Sequence, residues 1–131
     1  MKSILVVEDH AVLAESIAHM LSQKGHYKVA AVASTAEEAV SLLSHLKVDL
    51  ALVDVSLPRM DGIELVARLA AQYPRIRFLM LSAHDSRDYV ERSLQAGARG
   101  YIVKDDLDGI ITGVRCVLDG GTYLSQQISG V

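Results

Sequence analysis

The chain is short of the features that would take it out of the ordinary globular class. It has one cysteine, Cys116, so no internal disulfide can form and a reducing compartment fits. No apolar run approaches the roughly 20 residues of a membrane span. The opening "MKSILVVEDH" starts like a signal peptide, but its apolar run is too short and ends in two acids, so no leader is expected. A cytoplasmic location and no membrane contact are the expectation. Clustered positive charge is missing as well. The thirteen Lys and Arg are scattered, with only Arg75 and Arg77, and Arg87 and Arg92, approaching a patch, and the net charge is -3. Direct nucleic-acid binding by this chain is thereby disfavoured, because neutralising phosphates takes concentrated Lys and Arg. None of the histidines pairs with another at metal-ligand spacing, which argues against zinc. There is no internal repeat and no low-complexity segment.

What is present is 131 residues, half of them hydrophobic and 22% charged. This length favours one domain, and folding at this size buries roughly two-thirds of the unfolded chain's surface. Strands and helices alternate. "SILVV" (3–7), "YKVAAVA" (27–33), "LALV" (50–53), "RFLML" (77–81) and "GYIV" (100–103) read as continuous apolar strands. Between them lie helical patterns at 11–24, 34–46, 62–72 and 85–96, with a last one at 106–118. Gly25 is placed as the first helix's C-cap, and Thr35 with Glu38 has capping-box spacing. The helix at 85–96 is the most polar and should offer mainly Tyr89, Val90 and Leu94 to the core. Gly120-Gly121 ends the compact part, residues 1–121, and 122–131, "TYLSQQISGV", is expected as a polar tail or the start of a linker.

Continuous apolar strands separated by amphipathic helices mean a parallel sheet covered on both faces. The expected fold is α/β, a doubly wound five-stranded parallel sheet in the order 2-1-3-4-5, a flavodoxin-like three-layer sandwich. In such sheets ligands bind at the carboxyl ends of the strands. The first strand ends in Glu8 and Asp9, the third in Asp54, the fourth in Ser82 and the fifth in Lys104. Three carboxylates, a hydroxyl and an ammonium should therefore converge. Carboxylates that close repel unless a cation intervenes, and oxygen-only ligands favour Mg²⁺ over Zn²⁺. A carboxylate can attack phosphorus and form an aspartyl phosphate. Asp54 is the best nucleophile candidate, because it stands alone on the third strand between the acid pair and Lys104. Lys104 would neutralise phosphoryl charge and Ser82 would donate a hydrogen bond.

At these residues the chain resembles a family. Glu8-Asp9, Asp54, Ser82 and Lys104, with "LPRMDG" after the aspartate and "AGARGYIVK" up to the lysine, resemble the receiver domain of two-component response regulators, from Ser3 to about Leu124. "GYIVKDD" and "GGTYLS" are similar to the NarL/FixJ (LuxR-like) branch. The resemblance implies Mg²⁺ held by Asp9, Asp54 and the backbone carbonyl of Ser56, with Glu8 assisting. It implies a sensor histidine kinase as phosphoryl donor, and a module that is no enzyme beyond its own phosphorylation and dephosphorylation. Asp105 stands where many receivers have proline, and Ala11 where this branch commonly has one. The output is expected through a C-terminal DNA-binding domain absent from this chain, or through protein contacts of a stand-alone receiver, with a homodimer forming on phosphorylation.

Each residue has a plainer role when read singly. Glu8 or Asp9 would be the N-cap of the first helix, with Asp9 able to serve as cap and ligand together. Asp54 would be a turn residue, Lys104 a surface cation, Cys116 a small buried hydrophobe, and Gly62 a turn or close-approach residue. Tyr101 is either plain packing or a switch that turns from outward to inward when Ser82 moves toward a phosphoryl group, reshaping the face of the fourth helix, fifth strand and fifth helix. Two rival functions remain at this level. A haloacid-dehalogenase-type phosphatase also uses a strand-end Asp with Mg²⁺, but needs a second Asp where Ser56 stands. A flavodoxin-like FMN module would set three acids against the FMN phosphate, and no glycine- or hydroxyl-rich loop follows the first strand.

Overall fold

Strands with apolar centres, bounded by charged and turn residues, build the sheet that organises the chain. The structure is a computed structural model and describes residues 1–128. Strands β1 (Ser3–Val7), β2 (Lys28–Ala33), β3 (Leu50–Asp54), β4 (Arg77–Ser82), β5 (Ala98–Val103) and β6 (Tyr123–Leu124) form one sheet. Their order is β2-β1-β3-β4-β5-β6, and every neighbouring pair is parallel. The helices are α1 (Ala11–Gln23), α2 (Ala36–Leu43), α3 (Gly62–Gln72), α4 (Arg87–Ala96) and α5 (Asp108–Leu118).

Alternation along each strand sorts side chains to two faces. Leu5, Val7, Ala51, Val53, Phe78, Met80, Tyr101 and Val103 pack with residues of α2, α3 and α4. Ile4, Val6, Leu50, Leu52, Leu79, Leu81 and Ile102 pack with α1 and α5 through Ile17, Leu21, Ile110 and Val114. The helices therefore cover both faces, and the expected three-layer sandwich is the fold.

Four local expectations are corrected. The chain after Gly121 is not a trailing tail, because Tyr123 and Leu124 pair with Gly100 and Tyr101 as a sixth strand. Ser125 and Ile128 are buried behind it, while residues 129–131 of the expected tail lie outside the described residues. The N-cap of α1 is His10, whose Nδ1 accepts from the Leu13 amide at 3.2 Å, so Asp9 is free of that duty. In α4, Ser93 rather than Leu94 faces inward: Ser93 is fully buried with its hydroxyl donating to the Tyr89 carbonyl, and Leu94 is exposed. Cys116 is only partly buried, with Sγ 3.1 Å from the Thr122 carbonyl oxygen. The capping box of α2 holds, with the Glu38 amide donating to Thr35 Oγ1 and Glu38 itself reaching back to the Ser34 amide.

Candidate functional site

Strand register brings the tips together. Val7 pairs with Val53 across β1 and β3, and Asp54 pairs with Leu81 across β3 and β4, one residue before Ser82. The Lys104 amide donates to the Ser82 carbonyl at 2.7 Å, which carries β5's tip to the same edge. Glu8, Asp9 and Asp54 consequently offer carboxylate oxygens that lie within 4.8 Å of one another. Lys104 Nζ sits 3.1 Å from both Asp54 Oδ2 and Glu8 Oε1. Glu8 and Asp54 are buried to 1% exposure, whereas Asp9 is open to solvent.

Local structure fixes Asp54. The Ser56 amide donates to Asp54 Oδ1 at 3.0 Å, and the Val55 amide donates to the Leu81 carbonyl. Gly62 opens α3 directly against this turn, with its amide donating to the Val55 carbonyl at 2.7 Å. A Cβ built on Gly62 would lie 2.0 Å from the Asp54 carbonyl oxygen, so the close-approach reading of Gly62 holds. The loop between them turns through Arg59, at a φ of 68°.

The electrostatics follow from burial. Burial pushes the Glu8 carboxyl above its ordinary 4.5; the His10 amide draws it down, the Asp54 charge adds to the rise, and Lys104 offsets part of it. Burial pulls the Lys104 ammonium down, but Asp54 and Glu8 together outweigh it and leave it above 10.5. Glu8 Oε1 lies near the ammonium, yet the pair is misaligned for a hydrogen bond, and that buried oxygen has no hydrogen-bond donor. A buried oxygen without a donor beside two more carboxylates fits a hard cation better than it fits the protein alone. Glu8→Gln is accordingly expected to raise the stability of the metal-free chain at pH 7, by about 1 kcal/mol. Because Glu8's folded pKa is raised, its contribution to stability is full below the ordinary value of 4.5 and is lost as pH rises through the folded value, so the gain should vanish at pH 4. Thermal melts at the two pH values check this, and a gain at both would mean that Glu8 is not strained by its charge.

Ser82 is fully buried, and its hydroxyl accepts from the His84 amide at 2.9 Å. Tyr101 is fully buried too, with its hydroxyl donating to the His84 carbonyl at 2.8 Å. The sequence reading has Tyr101 turning from outward to inward; the structure holds it inward. His84 thus ties both switch candidates to one backbone segment, and its ring stacks on Tyr89 of α4 at 4.5 Å. Nothing in the sequence pattern marks His84 for this part, since its backbone rather than its ring makes both bonds. Nor does that pattern single out Asp106 or Ser125, although "GGTYLS" contains Ser125. A groove of about 640 Å³ lies between 43–49 and 72–76, at the amino end of the sheet and away from the acids.

The match to known proteins follows the same residues. The family model of the response regulator receiver domain matches residues 4–115. DegU of Brevibacillus brevis, a transcriptional regulatory protein, is 32% identical over 127 residues, covering 96% of this chain and 54% of its own length. UhpA of Escherichia coli is 33% identical over 130 residues, covering 98% of this chain and 65% of its own. The chain thus spans between about half and two-thirds of these curated relatives. Among solved structures, a LuxR-family two-component response regulator from Aurantimonas superposes with a TM-score of 0.93 at 26% identity, covering 98% of this chain and 93% of that one. The receiver domain of the NarL regulator from Mycobacterium tuberculosis gives 0.85 at 31% identity, covering 91% and 97%.

Proposed function

This chain belongs to the response regulator receiver domain family, in its NarL/FixJ-type branch, and from that premise we propose that it takes a phosphoryl group onto Asp54 from a sensor histidine kinase. The observation that carries the reading is the pairing of Asp54 with Lys104 at 3.1 Å inside a trio of carboxylates. Asp9, Asp54 and the Ser56 carbonyl would hold Mg²⁺, with Glu8 in support. The cation supplies neutralising charge to the transferring phosphoryl group when bound. An Asp54 carboxylate oxygen forms the new bond to phosphorus, and the donor leaves with the electron pair of the bond that breaks. Lys104, held between Asp54 and Glu8, neutralises phosphoryl charge without reorganising. The module does no chemistry beyond gaining and losing this group. Ser56 in place of a second acid leaves no general acid for phosphatase turnover.

The Ser82 hydroxyl, which now accepts from the His84 amide, would turn to donate to a phosphoryl oxygen. Tyr101 is bonded to the carbonyl of the same His84 and would reset with it, changing the face built by α4, β5 and α5. The relatives' names as transcriptional regulators support an output through a DNA-binding domain. Cytoplasmic location and dimerisation on phosphorylation are part of the same proposal. A stand-alone receiver working through protein contacts is the second form of the same function.

Acetyl phosphate with Mg²⁺ should add one phosphoryl mass to the parent chain, mapped to the Asp54 peptide, and Asp54→Asn should take up none. Undiminished uptake by Asp54→Asn would sink the assignment.

A further inference from the structure

The geometry points to Ser125 as a positioning residue for Lys104, supplied by the segment that follows α5. The inference rests on the reading of Lys104 as the group that neutralises phosphoryl charge. Lys104 directly follows Val103, the last residue of β5, and the strand's two edges are held by different partners there. On the inner edge the Lys104 amide donates to the Ser82 carbonyl. On the outer edge the Val103 amide donates to Ser125 Oγ at 3.1 Å. The same hydroxyl donates to Asp106 Oδ2 at 2.9 Å. Asp106 closes the turn beyond Lys104, because its amide donates to the Val103 carbonyl and its Oδ1 accepts from the Gly109 amide. One serine hydroxyl therefore pins both ends of the turn that presents the lysine.

The pin is itself built. The Ser125 amide donates to the Tyr101 carbonyl at 3.1 Å, continuing the pairing of β6. Ser125 is 3% exposed, and three residues on Ile128 is buried in the same apolar cluster as Val90, Tyr101 and Val103. Losing the hydroxyl would leave the buried Val103 amide without its partner and loosen Asp106, whose Oδ2 would keep only the longer bond from the Tyr123 hydroxyl at 3.5 Å. The acids that would hold the metal stand just past the end of β1 and at the end of β3 and share none of these bonds. The effect should therefore fall on the lysine's share of the site and spare the metal's. Linkage is reciprocal, so a phosphoryl mimic that engages Lys104 should also tighten Val103 and Ser125.

Beryllofluoride with Mg²⁺, added to the 131-residue chain, reads this directly. Ser125→Ala should bind beryllofluoride about tenfold more weakly, the size of one lost hydrogen bond, with Mg²⁺ affinity unchanged. Ser125→Thr should restore binding. In the parent, beryllofluoride should slow hydrogen exchange at the Val103 amide. Asp106→Asn keeps the serine hydroxyl on Val103 but offers it no carboxylate, and should show the same selective loss should Ser125→Ala not fold. Parent-like beryllofluoride affinity in Ser125→Ala, or in Asp106→Asn where that variant stands in, overturns the inference. So does an equal loss of Mg²⁺ affinity, which a general loosening would produce. A parent chain that takes up no beryllofluoride overturns the reading of Lys104 and the inference with it.

Discussion

Gly62→Ala is expected to lower the unfolding free energy by about 3 kcal/mol and to remove Mg²⁺-dependent phosphate uptake along with it. The added Cβ would meet the Asp54 carbonyl oxygen at 2.0 Å, the Asp54 carbonyl carbon at 2.8 Å and Val55 Cα at 3.0 Å. All three are backbone atoms, so no side chain can swing aside. The φ of Gly62 is not in the left-handed region, and the objection is therefore steric alone. Relief requires either α3 to retreat, which breaks the bond from the Gly62 amide to Val55, or the end of β3 to shift, which moves the nucleophile. Gly120→Ala is the matching control. It has a φ of 95° but nothing within 4 Å of the new Cβ, so it should lose only backbone strain, about 1 kcal/mol. Thermal melts of the two variants decide the matter, with the Gly62 variant falling by roughly 10 °C. A Gly62→Ala chain that melts with the parent would mean that α3 moves freely and does not fix Asp54.

Lys104→Met should reduce phosphate uptake by about a hundredfold, as removal of a charge-stabilising donor commonly does. It should also make stability steeply dependent on pH. The lysine is the one cation in contact with Glu8 and Asp54 among the described residues, and both acids are buried. Methionine keeps much of the stem's packing, so the loss falls on charge. Removing one partner of a buried ion pair costs about 3 kcal/mol, because the charge left behind is uncompensated. Without the lysine, the negative charge of Glu8 and Asp54 would be left without a cation in contact. Burial raises the Glu8 carboxyl above its ordinary value, so as pH falls Glu8 takes a proton earlier than a free carboxyl would and the penalty shrinks. In the parent, Lys104's raised pKa means that its contribution is full below 10.5 and fails only as pH rises through the folded value. The parent should therefore lose stability in alkali, while the variant is already weakened at pH 8. Urea unfolding at pH 5 and pH 8 separates the cases. Equal losses at the two pH values would show that Lys104 acts through packing and not through the acids.

The sheet order and the convergence of Glu8, Asp9, Asp54, Ser82 and Lys104 were legible without coordinates. The apolar runs of β1, β3, β4 and β5 are buried on both faces, so their pattern names central parallel strands, while β2 at the edge is only partly buried and leaves Val32 exposed. A parallel sheet puts every carboxyl end on one edge, which is enough to gather the five residues. The same reasoning missed β6, because a two-residue strand at the edge has no apolar run to announce it. Tyr123 and Leu124 are ordered by the neighbouring β5 edge and not by their own pattern. The N-cap of α1 was misread for a related cause. Asp9 and His10 both stand at the helix entrance, and only the backbone's path selects which side chain meets the Leu13 amide.

By itself the sequence determined the layered α/β fold, the edge at which chemistry occurs and the residue types present there, since these follow from periodicity, strand direction and charge. Tertiary structure alone decided which of those groups touch. It placed Lys104 between Asp54 and Glu8, left one Glu8 oxygen without a donor, seated Tyr101 inward on the His84 carbonyl, and drew Ser125 to the outer edge of β5. Each of these contacts joins residues on different elements or turns, and its geometry is set by packing and register at a scale of an ångström. Local pattern carries which face a residue takes; it does not carry the distance between two side chains brought together from separate parts of the chain.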